Sequence, residues 1–289
     1  MNYKQLAQTG VRIPEIGLGT WNYHGGTEPL RAGIELGARF IDTAESYGNE
    51  EIVGQAVKGI RDTVFIATKI TPRHFKHADV IRSAEQSLKR LNTDHIDLYQ
   101  LHWPNYLVPI AETMAAMEEL VRAGKIRFIG VSNFSVREMR QAQAALTSNK
   151  IVSAQVRYSL VDRTVERGLL DYCRATDITL IAYSPLDLGM ENIRKYDRSD
   201  LLAQVASEAG KTRAQVTLNW CVVHDSVVAI PKANRVEHVR ENCGASGWKL
   251  NPDQLKTLNH QIRFRQRGAI ESAGWRLARC IGQRFGYSI

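Results

Sequence analysis

Three apolar runs of the sequence end in ionisable residues. Asp42 follows "RFI", Lys69 ends "VFIATK" and His102 ends "IDLYQLH". A carboxylate at the end of a buried strand is costly unless a cation meets it, so we expect Asp42 and Lys69 to form an ion pair. Tyr47 lies five residues after Asp42, on the loop that follows the same run.

These four residues could perform proton transfer beside a carbonyl group. A tyrosine with its ordinary pKa of about 10 is a poor acid at neutral pH. A lysine cation favours the phenolate, so we expect the pKa of Tyr47 to fall and the phenol to donate and accept a proton. A neutral His102 could donate a hydrogen bond to a substrate oxygen. Such a set suits protonation of the oxyanion that hydride addition to a carbonyl produces.

Each of these residues alone also has an ordinary structural explanation. The acid and the lysine could form an ion pair that only closes the end of a barrel, and His102 could be a hydrogen-bonded core histidine. The combination favours a catalytic site. In contrast, His74 and His77 have H-x-x-H spacing without further ligands, so we expect surface histidines and no metal site.

Eight short β-branched runs alternate with about eight helical patterns. The runs are "EIGLGT", "RFIDT", "VFIATK", "IDLYQLH", "RFIGVSN", "SAQVRY", "TLIAYS" and "VVAIPK". Apolar residues in the intervening segments recur with the period of amphipathic helices, and Ser135, Thr212 and Asn251 are typical helix caps. Eight such units predict an α/β fold, a (β/α)₈ TIM barrel, in which the carboxyl ends of the strands converge on one catalytic face.

The ends of the chain differ from this repeat. Two short runs around Thr9 and Gly10 predict a β-hairpin in residues 1–15 that closes the bottom of the barrel. Residues 263–289 form a basic tail, predicted to be a helical or loop extension of a single domain over residues 1–289. Position 22 is Asn, so Gly17 and Gly19 do not start a G-x-G-x-x-G fingerprint and a Rossmann domain is disfavoured.

The composition indicates a cytoplasmic protein. The 289 residues are 44% hydrophobic and 24% charged, and no apolar run is long enough to span a membrane. The four cysteines are far apart, and the first residues lack the apolar stretch of a secretion signal. The net charge is +8, but the tail holds six arginines and one glutamate, so no nucleic-acid partner is expected. A monomer is favoured.

The sequence resembles the aldo-keto reductases over roughly residues 3–260. The resemblance rests on seven motifs in the family's order: "GLGTW" (17–21), "FIDTAESYGNEEIVGQAV" (40–57), "IATKI" (66–70), "DLYQLHWP" (97–104), "GKIRFIGVSNF" (124–134), "AYSPL" (182–186) and "IPKANRVEHVRENC" (230–243). It implies a barrel that binds NADPH in an extended form without a Rossmann domain.

The resemblance also implies roles for individual residues. Tyr47 is similar to the family's general acid, Asp42 and Lys69 to the pair that tunes it, and His102 to the group that orients the carbonyl. The positions that match coenzyme contacts are Thr20, Ser132, Asn133, Gln155, Tyr183, Ser184, Leu186, Lys232, Asn234, Arg235, His238 and Asn242. Trp21 and Trp103 match residues that line the substrate pocket, although core packing is the commoner role of tryptophan.

One departure concerns the choice of coenzyme. Many members have an arginine six residues after the lysine that matches Lys232, where it bonds the 2′-phosphate of NADP, but this sequence has His238. Arg235 could compensate, because a planar guanidinium suits a phosphate. We therefore expect NADPH to be preferred over NADH by a smaller margin than is usual.

The tail matches none of these motifs. Leu277, Ile281 and Phe285 fall at i, i+4 and i+8, which predicts a short amphipathic helix. Three interpretations remain open for it, in decreasing order of weight. It could be a helix packed on the barrel, a lid over the substrate, or a surface that binds an acidic membrane or nucleic acid.

The sequence thus predicts an NADPH-dependent reductase that converts aldehydes or ketones to alcohols. The alternative is a regulatory or sensing subunit that binds NADPH on the same barrel and turns over slowly. The four residues show that the protein has the groups for catalysis, but not that catalysis is its biological role. A metal-dependent barrel hydrolase is disfavoured, since the sequence contains no cluster of metal ligands.

Overall fold

Eight parallel strands form one sheet in which each strand neighbours the next along the chain. The computed structural model describes residues 1–284, except the side chains of residues 269, 270, 272, 273, 276, 279 and 284. The strands are β3 (Leu18–Gly19), β4 (Phe40–Asp42), β5 (Phe65–Ile70), β6 (Ile96–Leu101), β7 (Ile126–Ser132), β8 (Ile151–Arg157), β9 (Thr179–Tyr183) and β10 (Val227–Ala229). They coincide with the eight predicted runs.

The sheet closes on itself between its first and last strands. A parallel bridge joins Ile16 to Ala229, and the Gly17 amide donates to the Ala229 carbonyl at 2.8 Å. A Cβ atom on Gly19 would lie 2.5 Å from the Ile230 carbonyl oxygen, so the closely spaced backbones of this seam require glycine. The closed seam confirms the predicted barrel.

Helices follow the strands and cover the outside of the barrel. They are α1 (Glu28–Glu35), α2 (Glu50–Ala56), α3 (His77–Leu91), α4 (Ile110–Arg122), α5 (Val136–Ala144), α6 (Leu169–Ala175), α7 (Met190–Arg194), α8 (Leu201–Ala209), α9 (Arg213–Cys221), α10 (Val236–Cys243), α11 (Pro252–His260) and α12 (Ala269–Arg284). Complete capping boxes at Ser135, Thr212 and Asn251 start α5, α9 and α11, as predicted, and each contributes about 1 kcal/mol to stability.

The predicted hairpin lies at the amino-terminal end of the barrel. Its strands are β1 (Tyr3–Gln5) and β2 (Arg12–Pro14), which pair antiparallel. Leu6 and Ile13 are fully buried and belong to the same apolar cluster as Phe40 and Phe65, which lie inside the barrel. The hairpin therefore closes the end of the barrel opposite the expected catalytic face.

Side-chain alternation along the strands explains which residues enter the barrel. In β4, Phe40 belongs to the interior cluster and Ile41 to the layer between strands and helices. In β6, Leu98 belongs to the interior cluster and Tyr99 to the layer between strands and helices. Because strand residues alternate with a period of two, the next residue after each pair points inward. Asp42 and Gln100 thus occupy the barrel interior, as does Lys69 in β5.

The tail forms a helix, but its contacts differ from those predicted. In α12, Leu277 is 63% exposed and Ile281 is 48% exposed, so the expectation that this stripe packs on the barrel is wrong. Phe285, the third member of the stripe, lies outside the described residues. The helix is instead held by polar contacts, because Gln283 donates to the Pro104 carbonyl at 2.8 Å and accepts from the Tyr106 amide at 3.2 Å.

Candidate active site

The ammonium group of Lys69 lies at the centre of the four candidate catalytic residues. Lys69 is fully buried, and its Nζ donates to Asp42 Oδ1 at 2.5 Å and to the Thr43 carbonyl at 2.7 Å. The same Nζ lies 3.3 Å from the phenol oxygen of Tyr47. The predicted ion pair therefore forms, and it brings the phenol into direct contact with a cation.

Burial and the neighbouring carboxylate act in opposite directions on Lys69. Burial alone would lower the pKa of the lysine, but the charge of Asp42, its hydrogen bond and the contact with Tyr47 raise the pKa above its usual value. Lys69 consequently remains a cation at neutral pH. A buried charge of this kind needs its partner, since an unpaired ion in the interior is strongly destabilising.

The prediction that the pKa of Tyr47 falls is wrong. Burial raises the pKa of the phenol more than the Lys69 charge and hydrogen bond lower it, and the nearby Asp42 charge raises it further. The sequence shows that a cation is close, but it does not show how much water the fold removes from the phenol. Tyr47 therefore holds its proton throughout the neutral range.

Two glutamine amides complete the surroundings of Asp42. Its Oδ2 atom accepts from Gln155 Nε2 at 2.7 Å and from Gln100 Nε2 at 3.2 Å. The sequence predicts Gln155 near the coenzyme but does not predict Gln100 as part of the site. The signal was present in "IDLYQLH", where a single amide interrupts an apolar strand.

His102 and Trp103 follow β6 and lie beside the phenol. The rings of His102 and Tyr47 meet edge to face with their centres 5.6 Å apart, and Ser46 Oγ lies 3.5 Å from His102 Nδ1. Trp103 stacks on His102, with ring centres 6.3 Å apart. Trp21 is 55% exposed, so core packing does not explain it.

The turn that carries Tyr47 is fastened by Glu45 and Asn49, neither of which the sequence alone marks as part of the site. Glu45 accepts from the Thr71 amide at 2.6 Å and lies 3.1 Å from His74 Nδ1. On the other side of the turn, Asn49 donates to the Thr20 carbonyl at 2.7 Å. His74 is thus paired with a glutamate, as is His77, whose Nε2 lies 3.1 Å from Glu119.

Four candidate nicotinamide contacts meet at the ends of β7, β8 and β9. Tyr183 donates to Asn133 Oδ1 at 2.9 Å, and Asn133 Nδ2 lies 2.9 Å from Ser132 Oγ. Asn133 has φ of 62°, a left-handed conformation that asparagine tolerates, and Gln155 follows on the neighbouring strand. These hydroxyl and amide groups offer the mixed donors and acceptors that fit a carboxamide.

The other candidate coenzyme contacts spread outward from this group. Thr20 is buried and its hydroxyl donates to the Asp42 carbonyl at 3.0 Å. Ser184, with φ of 48°, and the half-buried Leu186 lie on the loop after β9. Lys232 is exposed in the loop after β10, where Asn234 Oδ1 accepts from the His24 amide at 3.1 Å.

Two residues at the start of α10 match the positions that the sequence predicts to contact the 2′-phosphate of NADP. Arg235 and His238 are both exposed, and Arg235 Nη2 lies 2.5 Å from His238 Nε2. Asn242, one turn further along the helix, is buried. Exposed cationic side chains near Lys232 suit an anionic ligand, although in this arrangement Arg235 contacts the histidine that replaces the usual arginine.

Within residues 1–284, no group of three histidine, cysteine, aspartate or glutamate side chains could hold a metal ion. No helix among these residues is both long and apolar enough to cross a membrane.

A tyrosine in contact with a buried lysine, with a histidine ring beside it at the end of a (β/α)₈ barrel, is the arrangement that the sequence predicts for a carbonyl reductase. The family model described as "Aldo/keto reductase family" matches residues 15–262 of the chain. The chain belongs to this family, so it is an oxidoreductase that reduces the carbonyl group of aldehydes or ketones, as the sequence predicts.

Similar proteins cover nearly the whole chain. Methylglyoxal reductase YeaE of Escherichia coli is 38% identical over 271 residues, which are 90% of this chain and 95% of that protein. Glyoxal reductase of Bacillus subtilis is 36% identical over 265 residues, covering 88% and 92%. A crystal structure of an aldo/keto reductase from Klebsiella pneumoniae with NADP and acetate has a TM-score of 0.83 and 38% identity, covering 92% of this chain and 98% of that one.

Proposed function

We propose that Tyr47 is the proton donor of an NADPH-dependent reduction whose substrates include small 2-oxoaldehydes such as methylglyoxal. The observation that carries this proposal is the position of Lys69 Nζ, 2.5 Å from Asp42 Oδ1 and 3.3 Å from the phenol oxygen of Tyr47. The relatives named for methylglyoxal and glyoxal reduction support the substrate class.

The raised pKa of Tyr47 suits a donor that must keep its proton until it is needed. Water does not remove the proton at neutral pH, whereas the oxyanion produced by hydride addition is far more basic than a phenolate. Once the proton has moved, the ammonium group of Lys69 stabilises the phenolate that remains. Asp42 keeps Lys69 charged and fixes its position through the short ion pair.

His102 orients the carbonyl oxygen toward Tyr47. Its ring lies edge to face with the phenol, so a single substrate oxygen can receive hydrogen bonds from both side chains. Trp103, stacked on His102, and the exposed Trp21 line the approach to this position. Aromatic side chains suit a small, flat dicarbonyl compound.

The coenzyme is NADPH, which supplies the hydride when bound. Ser132, Asn133 and Gln155 would hold its carboxamide, and Tyr183 would stack on the nicotinamide ring. Lys232 and Arg235 meet the 2′-phosphate, because exposed cationic side chains recognise phosphate through charge-assisted hydrogen bonds. The remaining contacts are those predicted for Thr20, Ser184, Leu186, Asn234, His238 and Asn242.

The protein works as a monomer in the cytoplasm. All four catalytic side chains come from one chain, so no second copy is required to build the site. The cysteines are unpaired thiols, which suits a reducing compartment. Burial raises the pKa of Cys173 and Cys221 to about 12, so these thiols are unreactive.

The test is coenzyme oxidation by the purified protein. Methylglyoxal, an aromatic aldehyde, a simple ketone and an aldose are each incubated with NADPH while its absorbance is followed. We expect the highest kcat/KM with methylglyoxal and only residual turnover by the Tyr47→Phe variant. If none of the compounds oxidises NADPH faster than that variant does, the proposed activity is wrong. If another compound is preferred over methylglyoxal, the substrate class alone is wrong.

A further inference from the structure

We propose that Gln100 is a positioning residue that makes Gln155 present only its carbonyl oxygen to the coenzyme. Gln100 acts through Asp42 and Gln155 and does not touch the reacting atoms. The proposal rests on the proposed function, because it takes the carboxamide of the nicotinamide to lie beside Gln155. It adds a second task to Asp42, which orients an amide as well as pairing with Lys69.

Gln100 fills a space inside the barrel that a neighbouring glycine leaves open. This side chain is fully buried in β6, and its backbone pairs with Lys69 on one side and Gly130 on the other. A Cβ atom on Gly130 would lie 3.0 Å from Gln100 Cγ and 2.3 Å from Ser153 Oγ. Glycine at that position therefore leaves the space that the glutamine fills. A buried amide is unfavourable unless its polar atoms are bonded, and Gln100 meets this requirement at Asp42.

Both glutamine amides donate hydrogen bonds to Asp42. An ionised carboxylate only accepts, so both amides must turn their NH₂ groups toward Asp42 Oδ2, at 3.2 Å for Gln100 and 2.7 Å for Gln155. Gln155 Nε2 also lies 3.4 Å from Gln100 Oε1, which takes its second hydrogen. Gln155 then has only its oxygen left to offer. Within residues 1–284, both hydrogen bonds of the Gln155 side chain use Nε2 and neither uses Oε1.

An acceptor held in this way selects a ligand that carries an N–H group. The carboxamide of nicotinamide has such a group, whereas a methyl ketone of the same shape does not. The unmodified protein should therefore bind NADP⁺ about tenfold more tightly than its 3-acetylpyridine analogue, the factor expected for one lost hydrogen bond. Protein fluorescence measures both dissociation constants without turnover. Equal binding of the two coenzymes would overturn the proposal, whatever the variants do.

Two replacements of nearly equal length test Gln100 itself. Gln100→Met keeps the volume and removes both polar atoms, so Gln155 can turn more freely. We expect the tenfold preference to shrink to about threefold and kcat to fall by a similar factor, with KM for the aldehyde unchanged. Gln100→Glu places a second carboxylate beside Asp42, so its loss of kcat should be larger.

Tyr99→Phe is the matched control on the same strand. It removes a buried hydroxyl that faces the helices and has no partner among residues 1–284, so it should leave the coenzyme preference unchanged. Circular dichroism shows whether each variant is folded. A folded Gln100→Met variant with the original preference and kcat would mean that the glutamine only fills space. A protein that prefers NADP⁺ but reduces no carbonyl compound would refute the proposed function alone.

Discussion

The centre of the barrel and the outer end of the proposed coenzyme site hold their positive charges in opposite ways. Lys69 is fully buried and bonded to Asp42, Thr43 and Tyr47, whereas Lys232 and Arg235 are exposed. A buried ion depends on its partners, while an exposed ion is screened by water and salt. Mutations at the buried residues should therefore change turnover or stability strongly, whereas mutations at the exposed residues should change the preference for NADPH by smaller factors.

The largest expected effect is that of Tyr47→Phe. In the proposed mechanism, removing the phenol oxygen deletes the proton donor, and a positioned acid contributes about 10²–10⁴-fold to the rate, so kcat should fall by that factor. The dissociation constant of NADPH should stay within about twofold, since one hydroxyl near the reacting carbon is changed. Steady-state kinetics and fluorescence titration measure the two effects. Near-normal turnover would remove Tyr47 from the mechanism.

The next effect concerns the buried ion pair. Lys69→Met leaves the Asp42 carboxylate buried without its cation and should reduce the free energy of unfolding by about 3–5 kcal/mol. Adding Asp42→Asn removes the unpaired charge, so the double variant should recover most of this loss. Denaturant unfolding measures the stability. Kinetics on the double variant should still show little activity, because the cation beside Tyr47 is absent.

A smaller effect is expected at the exposed end. Lys232→Ala should lower kcat/KM with NADPH by about tenfold, the value of one hydrogen bond to a charged group. The value with NADH should not change, because NADH lacks the 2′-phosphate. Raising the salt concentration should weaken the NADPH preference of the unmodified protein in the same direction. An equal loss with both coenzymes would place Lys232 elsewhere in the site.

His238→Arg should strengthen the preference for NADPH by about threefold, because a planar guanidinium adds phosphate donors that the imidazole lacks. His238→Ala is the control, since it removes the contact with Arg235 without adding a cation. The ratio of kcat/KM for NADPH and NADH measures both variants. If the control raises the ratio as much as the arginine does, release of Arg235 rather than the new cation is responsible.

The smallest expected effect is the response of Tyr47 to pH. Its pKa lies above the ordinary value of 10.0, so the proton donor stays loaded at neutral and mildly alkaline pH. The neutral phenol is the form that the fold favours, so its contribution to stability is present below about pH 10 and is lost only at higher pH. Tyr47 should therefore produce no inflection in kcat/KM for reduction between about pH 7 and 9. An inflection that disappears in Tyr47→Phe would contradict the raised pKa.

The sequence was sufficient for the barrel and for the ion pair. Strand alternation and parallel order place Asp42 and Lys69 at adjacent strand ends, so their pairing follows from the fold alone. The position of the Gln100 side chain could not be predicted from the sequence. It depends on the space beside Gly130, which becomes visible only when the neighbouring strands are seen packed together. The prediction for the pKa of Tyr47 was wrong for a related reason. The sequence shows that Lys69 is near, but burial raises the pKa of the phenol more than Lys69 lowers it.

The tail shows a different limit of sequence analysis. A repeat of apolar residues predicts that a helix has an apolar face, but it does not say which surface that face meets. In α12, Leu277 and Ile281 point outward, and Gln283 makes the contact with the loop after β6. Polar anchors of this kind carry no periodic signal, so they appear only when the two segments are seen together.

The seam between β3 and β10 has a consequence for how the protein is made. Asp42, Tyr47, Lys69 and His102 all lie in the first 102 residues, whereas Ala229, which closes the barrel, is synthesised more than 120 residues later. A chain that leaves the ribosome amino terminus first therefore carries the charges of Asp42 and Lys69 in contact with water until the barrel closes. This ion pair is buried in the folded barrel, so its removal from water depends on the closure that β10 completes.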